Sequence, residues 1–381
     1  MAIACSPHMR HFHTIITTRS TERLVCSMIG ACAAAVLALG VIGSSFAGAD
    51  PTAPSLPAAA EPVVCPAGGK DVHNAAELRA ALAAARPGDV IRLADGAYLA
   101  GDAGNFEITA SGRPDAPIFL CGRKDPAGTP RAWLDGTKDP NRPDPEHKRG
   151  ASYVLHLDGA SWWRLVDFGV RNGRKGVMAD RATHDVLSGL SVRGTGDEAV
   201  HLRDFSTDNT VTGVTVRDTG HRRPKFGEGL YVGSAQSNWC TISDCQPDRS
   251  DRNVLVGNDI AGTSAESIDI KEGTVDGVVD GNVLSGADLQ KKGADSWIDV
   301  KGNGWTVKNN VGTDSPNDGI QVHVILRGWG RDNTIVSNRL TVNGPGYGVY
   351  IHDKQAGNVV CDNEVVGAKK GSSNVPCSRP R

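Results

Sequence analysis

The sequence predicts an all-β solenoid: a right-handed parallel β-helix with a short N-terminal capping helix. Three observations predict it. First, Glu266-Ser267-Ile268-Asp269-Ile270-Lys271 is answered by Ser296-Trp297-Ile298-Asp299-Val300-Lys301. An Ile-Asp-(Ile/Val)-Lys strand therefore recurs after about 30 residues, a spacing typical of stacked repeats. Second, the same alternation fits Val200-His201-Leu202-Arg203, Leu230-Tyr231-Val232-Gly233, Ile320-Gln321-Val322-His323 and Val349-Tyr350-Ile351-His352. Third, each of these is followed by a short strand ending in asparagine, at Asn258, Asn282, Asn310, Asn338 and Asn363. Asparagine tolerates left-handed backbone angles and bonds locally to the main chain. One asparagine per coil at one corner is expected to stack into a ladder of amides. A sandwich or propeller is the alternative for many short strands, but these repeats lack a regular hairpin signal.

The remaining elements follow in chain order. Arg10, Arg19 and Arg23 precede an apolar run from Leu24 to Ile42, with small-x-small cleavage candidates between Ser45 and Ala49. Residues 1–47 are thus read as an export signal and the protein as secreted, without stable membrane association after cleavage. A single membrane anchor is the alternative, since the run approaches spanning length. The Pro/Ala-rich residues 48–64 read as a linker. Residues 65–381 form one β-helix domain, since a solenoid grows by adding coils and needs no second core. Asn74 reads as the N-cap of a helix carrying Leu78, Leu82 and Ala85 on one side, ended by Pro87-Gly88. Val90–Leu93 reads as the first strand, and the helix as the plug that a solenoid end requires. Beyond the signal remain Cys65, Cys121, Cys240, Cys245, Cys361 and Cys377. An even set in an exported chain suggests disulfides. The expected pairing is Cys65–Cys121 in the cap, Cys240–Cys245 in a loop, and Cys361–Cys377 at the C-terminal end.

A formal net charge of −2 gives no support for nucleic-acid binding, and no zinc spacing or aromatic RNA motif occurs. The repeat frame instead aligns outward side chains into columns. One reads His201, Tyr231, Asp269, Asp299, Gln321, Tyr350. The next reads Arg203, Gly233, Lys271, Lys301, His323, His352. A third, at the corner before the strand, reads Glu198, Glu228, Glu266 and Asp318. Neighbouring strands lie about 4.8 Å apart, comparable to one sugar unit of an extended glycan. A face of Arg, Lys, His and Tyr at that spacing suits an acidic polysaccharide lying along the axis of a monomer. Asp and Lys alternating on neighbouring strands could equally pair in solvent. Stacked like charges are unfavourable, so Lys271 beside Lys301 is expected to lower the pKa of one of them, making it a general base. Tyr231, Tyr350 and Trp297 are candidate sugar-stacking platforms, and Trp329 a candidate groove flank.

At Glu266-x-Ile268-x-x-Lys271 the chain resembles the pectin-lyase-like β-helix proteins, most nearly polysaccharide lyase family six, the alginate lyase and chondroitinase B group. Over residues 65–370 the resemblance is one of architecture. It implies a lyase cleaving a uronate-containing glycan such as pectate or alginate by β-elimination. Glu266 would then hold calcium and Lys271 would take the C5 proton of a uronate. Ser264 stands where the family has a second glutamate, and Glu228 could supply that carboxylate, with Asp269. Lys301 stands nearest the family's arginine; Lys301, Arg203 or His323 would bind or protonate. His201, Tyr231, Asp299, Gln321, Tyr350 and His352 would bind substrate. Two alternatives remain at this point. One is a glycoside hydrolase using Asp269 and Asp299, although the polygalacturonase motifs and the Asp-Pro-His of alginate epimerases are absent. The other is a non-catalytic, carbohydrate-binding or adhesive solenoid.

Overall fold

A computed structural model describes residues 63–138, 144, 151–290, 293–354 and 357–378. The expected export signal and nearly all of the linker lie outside the described residues. From residue 70 onward the chain winds into three parallel sheets of eleven, ten and ten strands. After the first two strands, Lys70–Val72 and Val90–Leu93, which pair with each other, each sheet takes every third strand, so one coil contributes one strand to each. This is the β-helix expected from the repeat.

Alternation explains why these strands stack. Ile268, Ile270, Ile298, Val300, Ile320 and Val322 are fully buried. They point into a single apolar core that runs from the N-terminal helix to Val360. Parallel strands buried on their inner face lose little by being short, because the coils above and below supply every ladder bond.

The corners need left-handed residues. At one corner Trp162, His184, Asp208, Arg252, Asp276 and Asp332 take φ between 51 and 61°. Gly304 occupies the same corner at φ 68°. A Cβ there would meet Asp276 Oδ1 at 2.3 Å, so this coil requires glycine for space as well as conformation.

Asparagine ladders lock the corners. In the expected ladder, each amide nitrogen donates to the next amide oxygen: Asn258 to Asn282 (2.8 Å), Asn282 to Asn310 (2.8 Å), Asn310 to Asn338 (2.9 Å) and Asn338 to Asn363 (2.8 Å). Each oxygen also accepts the preceding asparagine's backbone N–H. A second ladder, unanticipated, runs through Asp185, Asn209 and Asn253 and resumes at Asn333 and Asn358. Asn282 is fully buried. Its side chain accepts twice from Asn258 and donates to Leu255 O and Asn310 Oδ1. Asn282→Ala orphans several buried polar groups, so an expected loss of about 2–4 kcal/mol follows, measurable by thermal or chemical denaturation. Unchanged stability would mean the ladder is incidental to the fold.

Two departures from the regular coil matter for the site. Ladder partners are 24 residues apart at Asp185–Asn209 but 44 apart at Asn209–Asn253. The extra residues form a loop after Val232. It carries the Cys240–Cys245 disulfide and is anchored by the buried carboxylate of Asp248. That carboxylate accepts from Asp204 N, Phe205 N, Ser234 Oγ and Ser250 Oγ. A second loop follows Val322 and carries Arg327 and Trp329.

The N-terminus is capped as expected. The helix Ala75–Ala83 begins at Asn74, whose side chain accepts Glu77 N at 2.9 Å. Leu78 and Leu82 are buried, and the helix packs on the strand Phe106–Ile108. The disulfides Cys65–Cys121 and Cys361–Cys377 clamp the two ends, so all three bridges match the expected pairing. Among the described residues no helix is long and apolar enough to cross a membrane.

Candidate active site

The site lies on the sheet built from Phe106–Ile108, Leu155–Asp158, Val177–Asp180, Val200–Arg203, Leu230–Val232, Ile268–Ile270, Ile298–Val300, Ile320–Val322, Tyr347–Ile351 and Gly371–Ser373. Its register places His201, Tyr231, Asp269, Asp299, Gln321 and Tyr350 opposite one another in sequence. The first expected column therefore exists. The second continues past the strand ends. Lys271 N donates to Val232 O, Lys301 N to Ile270 O and His323 N to Val300 O, and the His323 and His352 rings stack at 4.5 Å.

Asp269 is the hub. Its Oδ2 lies 2.5 Å from Lys271 Nζ, and its Oδ1 2.7 Å from Lys301 Nζ. Lys301 Nζ also contacts Asp299 Oδ2 at 2.5 Å. Burial pushes the Asp269 carboxyl up, but Lys271 and Lys301 together outweigh it and hold it down at about 2. The lysines respond in the opposite sense to that expected. Burial lowers both, but Asp269 overrides it and raises Lys271, and Asp269 with Asp299 raises Lys301. The like-charge argument fails because a carboxylate stands between the two ammonium groups. The solvent-pairing alternative fails too: Asp269 and Asp299 are 1% and 4% exposed. Lys301 bridging both aspartates also removes the hydrolase pair, which must flank a sugar with open space between the carboxylates.

Above Asp269 sits Tyr231, with Lys271 Nζ 5.1 Å from its ring centre. His201 stacks on its ring at 4.0 Å. The Tyr231 ring is thus covered by its own neighbours and is no platform for a sugar. Burial, then Asp269 and Glu228, raise its phenol well above the ordinary range, so it is a proton donor at rest. Next to it the second column has Gly233, at φ 78°. A side chain there would press on Thr274 Cγ2 at 2.6 Å and Lys271 Cβ at 3.4 Å. The position is filled by these neighbours, so the coil requires glycine there for space as well as conformation.

The carboxylate column converges behind this pair. Glu228, Glu266 and Asp269 each present an oxygen within 4.8 Å of the others, all buried. Glu228 thus lies beside Glu266 and Asp269, close enough to share one ion with them. Burial, then Glu198 and Asp269, raise Glu228, while burial, then Asp269 and Asp299, push Glu266 up to about 8. Glu228 Oε2 is buried with no hydrogen-bond partner. An orphaned oxygen amid carboxylate-only donors fits a hard, oxygen-seeking cation such as calcium. At neutral pH Glu266 otherwise keeps its proton.

Other expected residues fall into new roles. His201 is 3% exposed, and its Nε2 donates to Gly233 O at 2.8 Å. It braces Tyr231 and does not reach substrate. Lys175 and His201 share Glu198, at 2.9 and 3.5 Å. Gln321 is 1% exposed, donating to Asp318 Oδ2 and contacting His323 Nε2. It orients His323 and binds no sugar. Burial lowers the His323 imidazole, leaving it neutral. Trp297 is fully buried with Nε1 donating to Thr313 O, so it too is no platform. Arg203 is two coils from Lys271, roughly 10 Å along the axis. Its guanidinium is held by Asp180 and Tyr153, which places it outside the reaction centre. Tyr350 and His352 are half-buried and in edge contact at 5.1 Å, so they remain accessible to a ligand. The network His156, Glu107, Asp180, Arg203 and Tyr153 was missed. Leu155-His156-Leu157-Asp158 obeys the same alternation, and extending the frame upstream finds it.

Residues 166–375, more than half of the chain, match the family model described as periplasmic copper-binding protein (NosD). The alginate lyase from Paenibacillus sp. str. FPU-7 is 33% identical, with a TM-score of 0.69, over 80% of this chain and 96% of that one. The chain belongs to the NosD family and to the family of this alginate lyase. The NosD-family chain is a pectin-lyase-like β-helix protein with polysaccharide lyases as its structural neighbours. A pectate lyase shares the fold at 16% identity and a TM-score of 0.50, over 79% of this chain and 75% of that one. A family-six polysaccharide lyase from Pseudopedobacter saltans also resembles it, at 15% identity and a TM-score of 0.46, over 82% of this chain and 88% of that one. No curated protein sequence matches the chain.

Proposed function

We propose that the protein is a secreted polysaccharide lyase that cleaves a uronate glycan by β-elimination, with alginate the first substrate to test. The observation that carries this reading is the pairing of Lys271 and Tyr231 over Asp269. β-Elimination needs a base at C5, an acid at the leaving O4, and positive charge against the uronate carboxylate that acidifies the C5 proton. Lys271 takes the C5 proton in its neutral form, after giving up to solvent the proton that Asp269 holds on it at rest. The phenol of Tyr231 donates to O4. Lys301, anchored between Asp269 and Asp299, faces the uronate carboxylate. Tyr350 and His352 contact sugars further along the groove, and Arg203 those toward the N-terminal coils.

Glu228, Glu266 and Asp269 would hold calcium, which when bound supplies further positive charge at the uronate carboxylate. Carboxylate oxygens alone suit calcium better than copper, which prefers nitrogen or sulfur donors. Calcium at a hundredfold excess over its dissociation constant is expected to stabilise the protein by about 2.7 kcal/mol, read as a rise in melting temperature. Glu228→Gln should abolish the rise; an equal rise in that variant would exclude this site.

The function itself is tested by incubating alginate, pectate and other uronate glycans with the purified protein. A lyase releases an ultraviolet-absorbing unsaturated end. Reducing ends without that absorbance would instead mean hydrolysis, and binding without either would mean an adhesin.

A further inference from the structure

We propose that residues 221–226 form a cationic rail along the carboxylate-side edge of the groove, a binding surface for the uronate chain outside the reaction centre. This rests on the lyase reading above and extends it to residues that no column contains.

The loop is bolted over the groove edge. The backbone N–H groups of Arg222 and Arg223 donate to Gly196 O at 2.7 and 3.2 Å. Ser264 Oγ donates to Pro224 O at 2.8 Å. Gly196 and Ser264 each lie two residues before a carboxylate of the third column, Glu198 and Glu266, and Gly227 directly precedes Glu228. The loop therefore bridges the coils that build the site.

Its charge is not cancelled locally. Asp197 is fully buried and receives both Arg222 and Arg223. Two guanidinium groups on one carboxylate leave a net positive charge. Lys225 is exposed, and among the described residues no carboxylate pairs with it. Asp218 and Asp288 line the hollow behind the loop, next to His221 and Pro224. Phe226 fixes the cations in place. The Arg223 guanidinium lies 4.4 Å and the Lys225 ammonium 4.7 Å from its ring centre. Cations held on a ring lose less freedom on binding an anion than cations on free side chains. Lys271 and Lys301 on the floor would take one carboxylate of the chain, and the rail a neighbouring one.

The test is the double variant Arg223→Ala/Lys225→Ala. Arg222 stays, so that Asp197 keeps a partner. Kinetics on polymeric alginate and on a short alginate oligosaccharide are measured at low and high salt. The expected result is KM on the polymer raised roughly fivefold at low salt, the rise shrinking as salt screens it. Short-oligosaccharide kinetics and kcat should be unchanged, and Arg223→Lys/Lys225→Arg should restore KM. Unchanged polymer KM, or a loss confined to kcat, overturns the rail. Calorimetric binding of alginate by wild type and double variant reads the rail even if no glycan is cleaved. Weaker binding by the variant would keep the rail while the lyase reading fell, and equal or absent binding would overturn the rail.

Discussion

Lys271→Ala is expected to lower kcat on alginate by about 10²–10⁴-fold, the usual contribution of a positioned general base. Lys271→Arg should be as inactive. Arginine keeps the positive charge beside Asp269 but cannot give up its proton to become a base. The pair of variants thus separates two roles that the static geometry combines. Asp269 keeps Lys301 in both, so the buried carboxylate is not stranded, and melting curves close to wild type would show that the fold survives. If Lys271→Arg retained more than about a tenth of the activity, Lys271 would be only a cation and the base would lie elsewhere. A matching Tyr231→Phe variant keeps the ring stacked on His201 and removes the phenol alone.

The second large effect concerns stability. Asp185 stands in the second amide ladder where other coils have asparagine. Its backbone N–H donates to Asn209 Oδ1 and its Oδ1 accepts Trp163 N, but its Oδ2 is buried without a partner. Burial pushes its carboxyl up to about 8, against small opposing effects from Trp163 N–H and Arg164. A folded pKa above the unfolded value means that folding holds a proton the unfolded chain would release. The penalty is absent below about pH 4, grows through the window up to pH 8 and is constant above it. At about 1.4 kcal/mol per unit, it reaches as much as ~4 kcal/mol at pH 7. Asp185→Asn removes it. Its amide can also donate to the preceding coil, as Asn209 Nδ2 does to Ala182 O. The expected gain is about 2 kcal/mol or more at pH 8, vanishing near pH 4, measured by denaturation across that range. A gain independent of pH, or a loss, would mean that Asp185 is not held protonated.

The fold was legible because a solenoid writes its period into the chain. The Ile-Asp-x-Lys pair gave the register, the trailing asparagines gave one ladder, and both columns followed. The cap helix was readable from Asn74 and Glu77, and the disulfides from cysteines near the same ends. The electrostatics were not legible. Adjacent lysines were read as repelling because the sequence cannot show Asp269 reaching both. Burial was hidden as well. An outward residue in a strand is assumed wet, yet Tyr231 and Gly233 cover His201, Asp318 and His323 hold Gln321, and Trp297 turns inward into the core. That is why His201, Gln321 and Trp297 turned from ligands of substrate into supports for Tyr231, His323 and the core. The second ladder escaped notice because Asp185 and Trp305 interrupt its asparagine pattern.

One consequence of the register is modular. Each coil gives a single letter to each column, so residues that touch across the site are set by how many coils separate them, not by any local motif. Deleting the coil of Gln321 and His323 would bring Tyr350 and His352 one sugar unit closer to Lys301 while leaving each surviving coil's internal bonds intact. Swapping whole coils, rather than single residues, is therefore the natural unit for rewriting which glycan this groove reads.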